Sequence, residues 1–169
     1  DNLYGLHEIR EATERRGIRC IVGAELTTEL GSIFVFVQTP QGYSRLCTLI
    51  TQHNVTPGFD YIAALRSDSE GLVLAAKEPP LLERLAESVP TLHAAITPRW
   101  LGSIPTARRL AIPLVALEDT AILDKEQYEL HVVLRAIALG TTVGMITQED
   151  LEPKESILCS HEQYVSAFS

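Results

Sequence analysis

Cysteine is sparse in this chain and shows no pairing pattern. Cys20, Cys47 and Cys159 are odd in number, far apart and form no Cys-x-x-Cys. That spacing excludes a disulfide framework and a zinc ribbon, and it implies reduced thiols in a cytoplasmic protein. Small buried side chains are the ordinary role for such residues. Positive charge is also in short supply: 14 Lys and Arg against 22 Asp and Glu give a net charge of -8. A surface that grips phosphate backbones needs a basic stripe, so any contact with DNA is expected to be indirect, through other domains. No apolar run approaches the roughly 20 residues of a membrane span. No charged-then-apolar leader precedes the first helix. A glycine-rich phosphate loop, a nucleophile elbow and a Walker-type lysine are all missing, as are internal repeats and low-complexity tracts.

What is present reads as an ordinary globular domain. The 169 residues are 46% hydrophobic and 21% charged, enough to bury a core, and residues 1–169 are expected to form a single domain. Leu3, Leu6, Ile9 and Thr13 share one helical face, with Glu8, Arg10, Glu11, Glu14, Arg15 and Arg16 around the rest. This predicts a surface helix covering a sheet and stopping at Gly17. The run Ile18 to Ala24 reads as an apolar strand, with Glu25 at its C-terminal end. Thr27 to Gly31 reads as a polar turn, and Ser32 to Gln38 as a buried β-branched and aromatic strand.

Further along, Tyr43 to Ile50 has apolar residues at helical spacing, and Phe59 to Leu65 fits a short helix. Strands are expected at Leu72–Ala75, Leu92–Ile96 and Pro113–Leu117. Helices are expected at Pro79–Val89, Pro105–Leu110 and Lys125–Leu139. In the last of these Tyr128, Val132 and Leu134 or Ile137 should point inward, with Gly140 as the stop. Ser160 followed by Gln163 has capping-box spacing and opens a final helix to Phe168. Acidic Glu149, Asp150, Glu152 and Glu155 around Pro153 read as a solvated loop. Strands alternating with helices predict an α/β fold with mainly parallel strands and crossover helices.

Five ordered stretches together resemble a known family. They are Asp1 to Leu26, Gln41-Gly42-Tyr43-Ser44-Arg45-Leu46-Cys47-Thr48-Leu49-Ile50, Gly71-Leu72-Val73-Leu74, Leu110-Ala111-Ile112-Pro113-Leu114-Val115-Ala116, and His131-Val132-Val133-Leu134-Arg135-Ala136-Ile137. In this order they resemble the polymerase and histidinol phosphatase (PHP) domain of bacterial C-family DNA polymerases, the DNA polymerase III alpha subunits. The segment from about Thr56 to Arg99 matches that domain poorly. The resemblance implies a distorted β/α barrel that is incomplete here, because two strands of that domain normally precede the point where this chain begins. A fragment or truncated product is therefore expected.

In that family histidines and carboxylates at the C-terminal rim of the strands bind a cluster of metal ions for phosphoester hydrolysis. Its His-x-His and Thr-Asp-His motifs would lie upstream of Asp1. The resemblance makes Glu25 the first remnant metal-ligand position. Asp119 is the second, because Leu117-Glu118-Asp119-Thr120-Ala121 aligns with a Thr-Asn-Asp-x-His strand end, with Ala121 replacing the histidine. Lys77 stands where a cysteine or histidine is expected, and the strand through Ala95 has lost its carboxylate. His93 reads as a strand histidine, and His7, His53, His131 and His161 as structural or surface residues, none paired at i, i+4.

These substitutions lead to the expectation of no catalytic residues and no bound cofactor. The chain is expected to be a non-catalytic, structural and partner-docking module of a replicative or error-prone DNA polymerase alpha subunit. Expected partners are other polymerase domains or holoenzyme subunits, including a proofreading exonuclease subunit, and no membrane. The alternative is a metal-dependent phosphoesterase or 3′–5′ exonuclease using zinc or manganese. A barrel lacking its first strands leaves a sheet edge uncovered, so the isolated chain is expected to form a homodimer through the Ile18–Leu26 strand or the Leu3–Arg16 helix.

Overall fold

The architecture comes from a computed structural model that describes residues 3–98, 100–117, 120, 122–153 and 156–168. Chain contacts group into two units, Asp1–Ala116 and Leu117–Ser169.

The first unit is a mixed α/β layer built on an open five-stranded sheet in the order β1-β2-β3-β4-β5. Its strands are β1 (Gly23–Thr28), β2 (Gly31–Val37), β3 (Leu72–Ala76), β4 (Leu92–Ile96) and β5 (Leu114–Ala116). The expectation of a mainly parallel sheet needs one correction. β2 pairs antiparallel with both neighbours, whereas β3, β4 and β5 pair in parallel. Only Glu29 and Leu30 separate β1 from β2, and a parallel connection needs a crossover of a dozen residues or so. Thr28 fixes this short turn: its hydroxyl accepts from Leu30 N–H and donates to the Gly31 carbonyl. β1, β3, β4 and β5 consequently run in one direction and deliver their C-terminal ends to one edge.

One face of the sheet carries Leu26, Ile33, Val35, Leu72, Leu74, Ala76, Leu92 and Ala94, all buried. Helices α2 (Pro40–Val55), α3 (Tyr61–Ser67), α4 (Pro79–Leu85) and α5 (Ile104–Leu110) pack on this sheet. They contribute Leu46, Leu49, Leu65, Leu81, Leu82, Leu85 and Ala107 to the same core. Local chemistry sets their starts. Thr39 caps α2 by accepting from Gly42 N–H, and Asp60 caps α3 by accepting from Ile62 and Ala63 N–H. Proline occupies the first turn of α2, α4 and α5, where its missing N–H costs nothing.

The opening helix α1 (Leu6–Glu14) forms as expected, and Gly17 adopts the left-handed conformation that stops it. It does not cover the sheet. None of its residues is buried, and Ile9 is 55% exposed. Exposed i, i+4 pairs of His7 with Glu11, Arg10 with Glu14 and Arg15 with Glu11 line its surface, while Leu3 just ahead of it packs on the core.

The second unit holds α6 (Lys125–Ala138), two 3-10 turns (Val143–Met145 and Gln148–Asp150) and α7 (His161–Ser166). Gly140 is left-handed beyond α6, and Ser160 and Gln163 form the expected capping box. The acidic stretch is held rather than loose at its start. Arg135 Nε–H donates to the Asp150 carbonyl, Tyr128 O–H to the Glu152 carbonyl, and Glu152 N–H donates to His131 Nε2. The inward face expected for α6 holds in part: Tyr128 and Val132 are half-buried and Ala136 is buried, while Leu134 and Ile137 are 54% and 70% exposed.

Candidate functional site

The face of the sheet opposite the core carries the residues singled out in the sequence. Strand register aligns Glu25 with Phe34, Phe34 with Ala75, and Ala75 with His93, one row running from β1 to β4. Alternation places Phe36, Val73 and Lys77 on the same face. The Lys77 ammonium lies over the Phe34 ring, 5.2 Å from its centroid. Phe34, Phe36 and Val73 are half-buried, and Ala75 is buried. His93 Nδ1 is 3.1 Å from the Thr91 carbonyl, which holds the ring near the N-terminal end of β4.

One expected position shifts. Glu25 does not end its strand: β1 runs Gly23–Thr28, and Glu25 is its third residue, exposed. The apolar pair Ile21-Val22 precedes the ladder because β2 stops at Val37, two residues ahead of Thr39, the cap of α2. Asp119, together with Glu118 and Ala121, lies outside the described residues.

The donors on this face do not fit a multinuclear metal centre. Glu25 and His93 are three strand spacings apart, about 14 Å, and side chains stand perpendicular to a sheet, so their tips do not converge on one ion. Lys77 adds a positive charge above the row, opposing a divalent cation. Among the described residues no group of three or more His, Cys, Asp or Glu is placed to hold a metal.

A hollow of about 460 Å³ lies on the other side, between the β1–β2 turn and the start of α3, with Thr27, Leu30, Phe59, Tyr61 and Arg84 in its wall. Tyr61 is 2% exposed and stacks on His53 with centroids 4.6 Å apart, and Phe59 meets Tyr61 edge-on. Burial pushes the Tyr61 phenol above its ordinary pKa. His53 therefore belongs to an aromatic cluster, a role compatible with the structural reading of its sequence position.

Phe34 and Phe36 were not visible as site residues in the sequence. Ile33, Val35 and Val37 alternate with them, so both faces of β2 are apolar, and the strand reads simply as buried. Only the register shows that the two phenylalanines share a face with Glu25 and His93.

No protein-family model matches the chain. It is 26% identical over 174 residues to an error-prone DNA polymerase of Anaeromyxobacter dehalogenans, in a match that takes in 85% of this chain and 15% of that protein. The chain thus spans about 15% of the length of the curated relative it matches, and the similarity supports an origin related to DNA polymerases. Among the described residues no helix is long and apolar enough to cross a membrane.

Proposed function

We propose that the chain is a PHP-like module of an error-prone or replicative C-family DNA polymerase, acting in replication or repair as a structural and docking element without hydrolysing phosphoesters itself. The observation that carries this reading is the 26% identity to an error-prone polymerase sustained along 85% of the chain. The open sheet supports it, since four strands run in one direction with helices between β2 and β5, as an incomplete β/α barrel would have. The sheet face supports the non-catalytic part. A hydrolytic centre needs several oxygen and nitrogen donors converging on its cations, whereas here Glu25 and His93 stand far apart and Lys77 brings a like charge to the metal. Docking is supported by exposed apolar side chains on α6, Leu130, Val133, Leu134 and Ile137, which offer polymerase domains or a proofreading subunit an apolar surface. The net charge of -8 fits a domain that meets DNA only through its neighbours.

The test is hydrolysis of a phosphate monoester and of single-stranded DNA by the purified chain, with zinc or manganese added. Background rates, unchanged by Glu25→Ala or Asp119→Ala, are expected. Metal-dependent turnover abolished by either substitution would establish the phosphoesterase alternative instead.

A further inference from the structure

The hollow beside α3 combines an apolar wall with two charges of opposite sign. Leu30, Phe59, Tyr61 and Ile62 supply the apolar part, and Glu29 and Arg84 line the same space. Glu29 and Arg84 are exposed, and among the described residues the side chain of neither makes an ion pair, with the other or with a third group. Their backbones are nonetheless fixed. Glu29 sits in the short β1–β2 turn, held by the Thr28 hydroxyl through its bonds to Leu30 N–H and the Gly31 carbonyl. Arg84 rides on α4, which is anchored by buried Leu81, Leu82 and Leu85. The aromatic part of the wall is fixed as well, because Tyr61 is buried between its stack on His53 and the edge of Phe59. Asp60, also in the wall, is already committed to the α3 cap through Ile62 and Ala63 N–H.

We propose that this hollow binds a small zwitterion with an apolar body, a free α-amino acid bearing an aromatic or branched side chain. Its carboxylate pairs with the Arg84 guanidinium, whose planar fork matches two carboxylate oxygens. Its ammonium pairs with Glu29, and its side chain lies against Leu30, Phe59 and Tyr61. Charge selects this class of ligand. A purely anionic molecule meets Glu29 and Asp60, a purely cationic one meets Arg84, and only a molecule carrying both charges offsets both sides of the wall. The volume of about 460 Å³ lies within the range of small-molecule pockets and leaves room for bridging water around an amino acid. Ion pairs at a solvent-open rim are weak, so the dissociation constant is expected on the order of 1 mM.

Titration of the ¹⁵N-labelled full chain with L-phenylalanine, followed by amide chemical shifts, tests the site. Saturable shifts are expected at Leu30, Phe59 and Ile62. Arg84→Gln and Glu29→Gln should each weaken binding about fivefold, and because both side chains are exposed the variants should keep the wild-type spectrum elsewhere. Two one-charge probes separate the roles. Phenethylamine lacks the carboxylate and should bind more weakly than L-phenylalanine, without further loss in Arg84→Gln. The anion 3-phenylpropionate lacks the ammonium and should also bind more weakly, without further loss in Glu29→Gln. No saturable shift at these amides, affinity for L-phenylalanine unchanged in both variants, or one-charge probes that bind as tightly as the zwitterion would each overturn the proposal, the last two by showing a merely apolar hollow.

Discussion

Gly42 in the first turn of α2 and Gly71 at the entry to β3 meet backbone to backbone, with no room for a side chain on either. A β-carbon on Gly42 would fall inside contact distance of the Gly71 carbonyl, and one on Gly71 would strike Thr39 Oγ1 and the Gly42 nitrogen. The Gly71 carbonyl also accepts from Gln38 and Thr39 N–H. This joint fixes where β2 turns into α2 against the start of β3, and thus the register of Phe34 over Ala75.

Gly42→Ala is therefore expected to destabilise the fold by about 1–3 kcal/mol, the usual cost of overpacking. Gly58→Ala is the comparison, because Gly58 has φ 72 but nothing near the position of a β-carbon. It should cost only the left-handed backbone penalty, about 1 kcal/mol. Urea midpoints of the two variants measure the difference, and equal shifts would mean the glycine joint is looser than described.

Tyr61→Phe should leave stability at neutral pH unchanged or raise it. The Tyr61 hydroxyl is buried without a hydrogen-bond partner among the described residues, so removing it ends a desolvation cost. The pH dependence has a definite sign. Burial raises the phenol pKa in the folded state, so the neutral ring favours folding below the unfolded value near 10, and this advantage disappears as pH rises through the folded value. Thermal midpoints of Tyr61→Phe should fall less steeply than wild type above about pH 10. A parallel fall in both proteins would show that Tyr61 does not contribute to alkaline unfolding.

Asp60→Ala should cost about 1 kcal/mol through the loss of the α3 cap. Its carboxylate accepts from Ile62 N–H at 2.8 Å and Ala63 N–H at 3.1 Å. Asp60→Asn keeps an acceptor and should recover most of the loss in the same denaturation experiment.

Much of the fold was legible because local chemistry and tertiary pairing agree. Leu92–Ile96 reads as a strand and is one, and the Ser160–Gln163 box opens α7 as its spacing requires. The reading fails where a partner decides the outcome. Ile21 and Val22 look like the centre of a strand, yet β2 ends at Val37 and gives Ile21 nothing to pair with. Leu134 and Ile137 have the spacing of a buried face, but burial depends on what lies opposite, and both are exposed. For the candidate site, residue identity was visible and geometry was not. Glu25, Lys77 and His93 stand out singly in the sequence, while their common face and the gap between Glu25 and His93 follow from a register set partly by the reversed strand β2. That reversal could have been read from the short Glu29-Leu30 connection.

The central claim is that this chain is a polymerase module, and the most direct measurement is primer extension by a chimera. The chain would replace the matching 15% of the Anaeromyxobacter dehalogenans error-prone DNA polymerase, and template-directed extension would be compared with the parent and with a deletion of that segment. Extension restored well above the deletion, and unchanged by Glu25→Ala within the chimera, is the predicted result. A soluble, folded chimera no more active than the deletion would contradict the account.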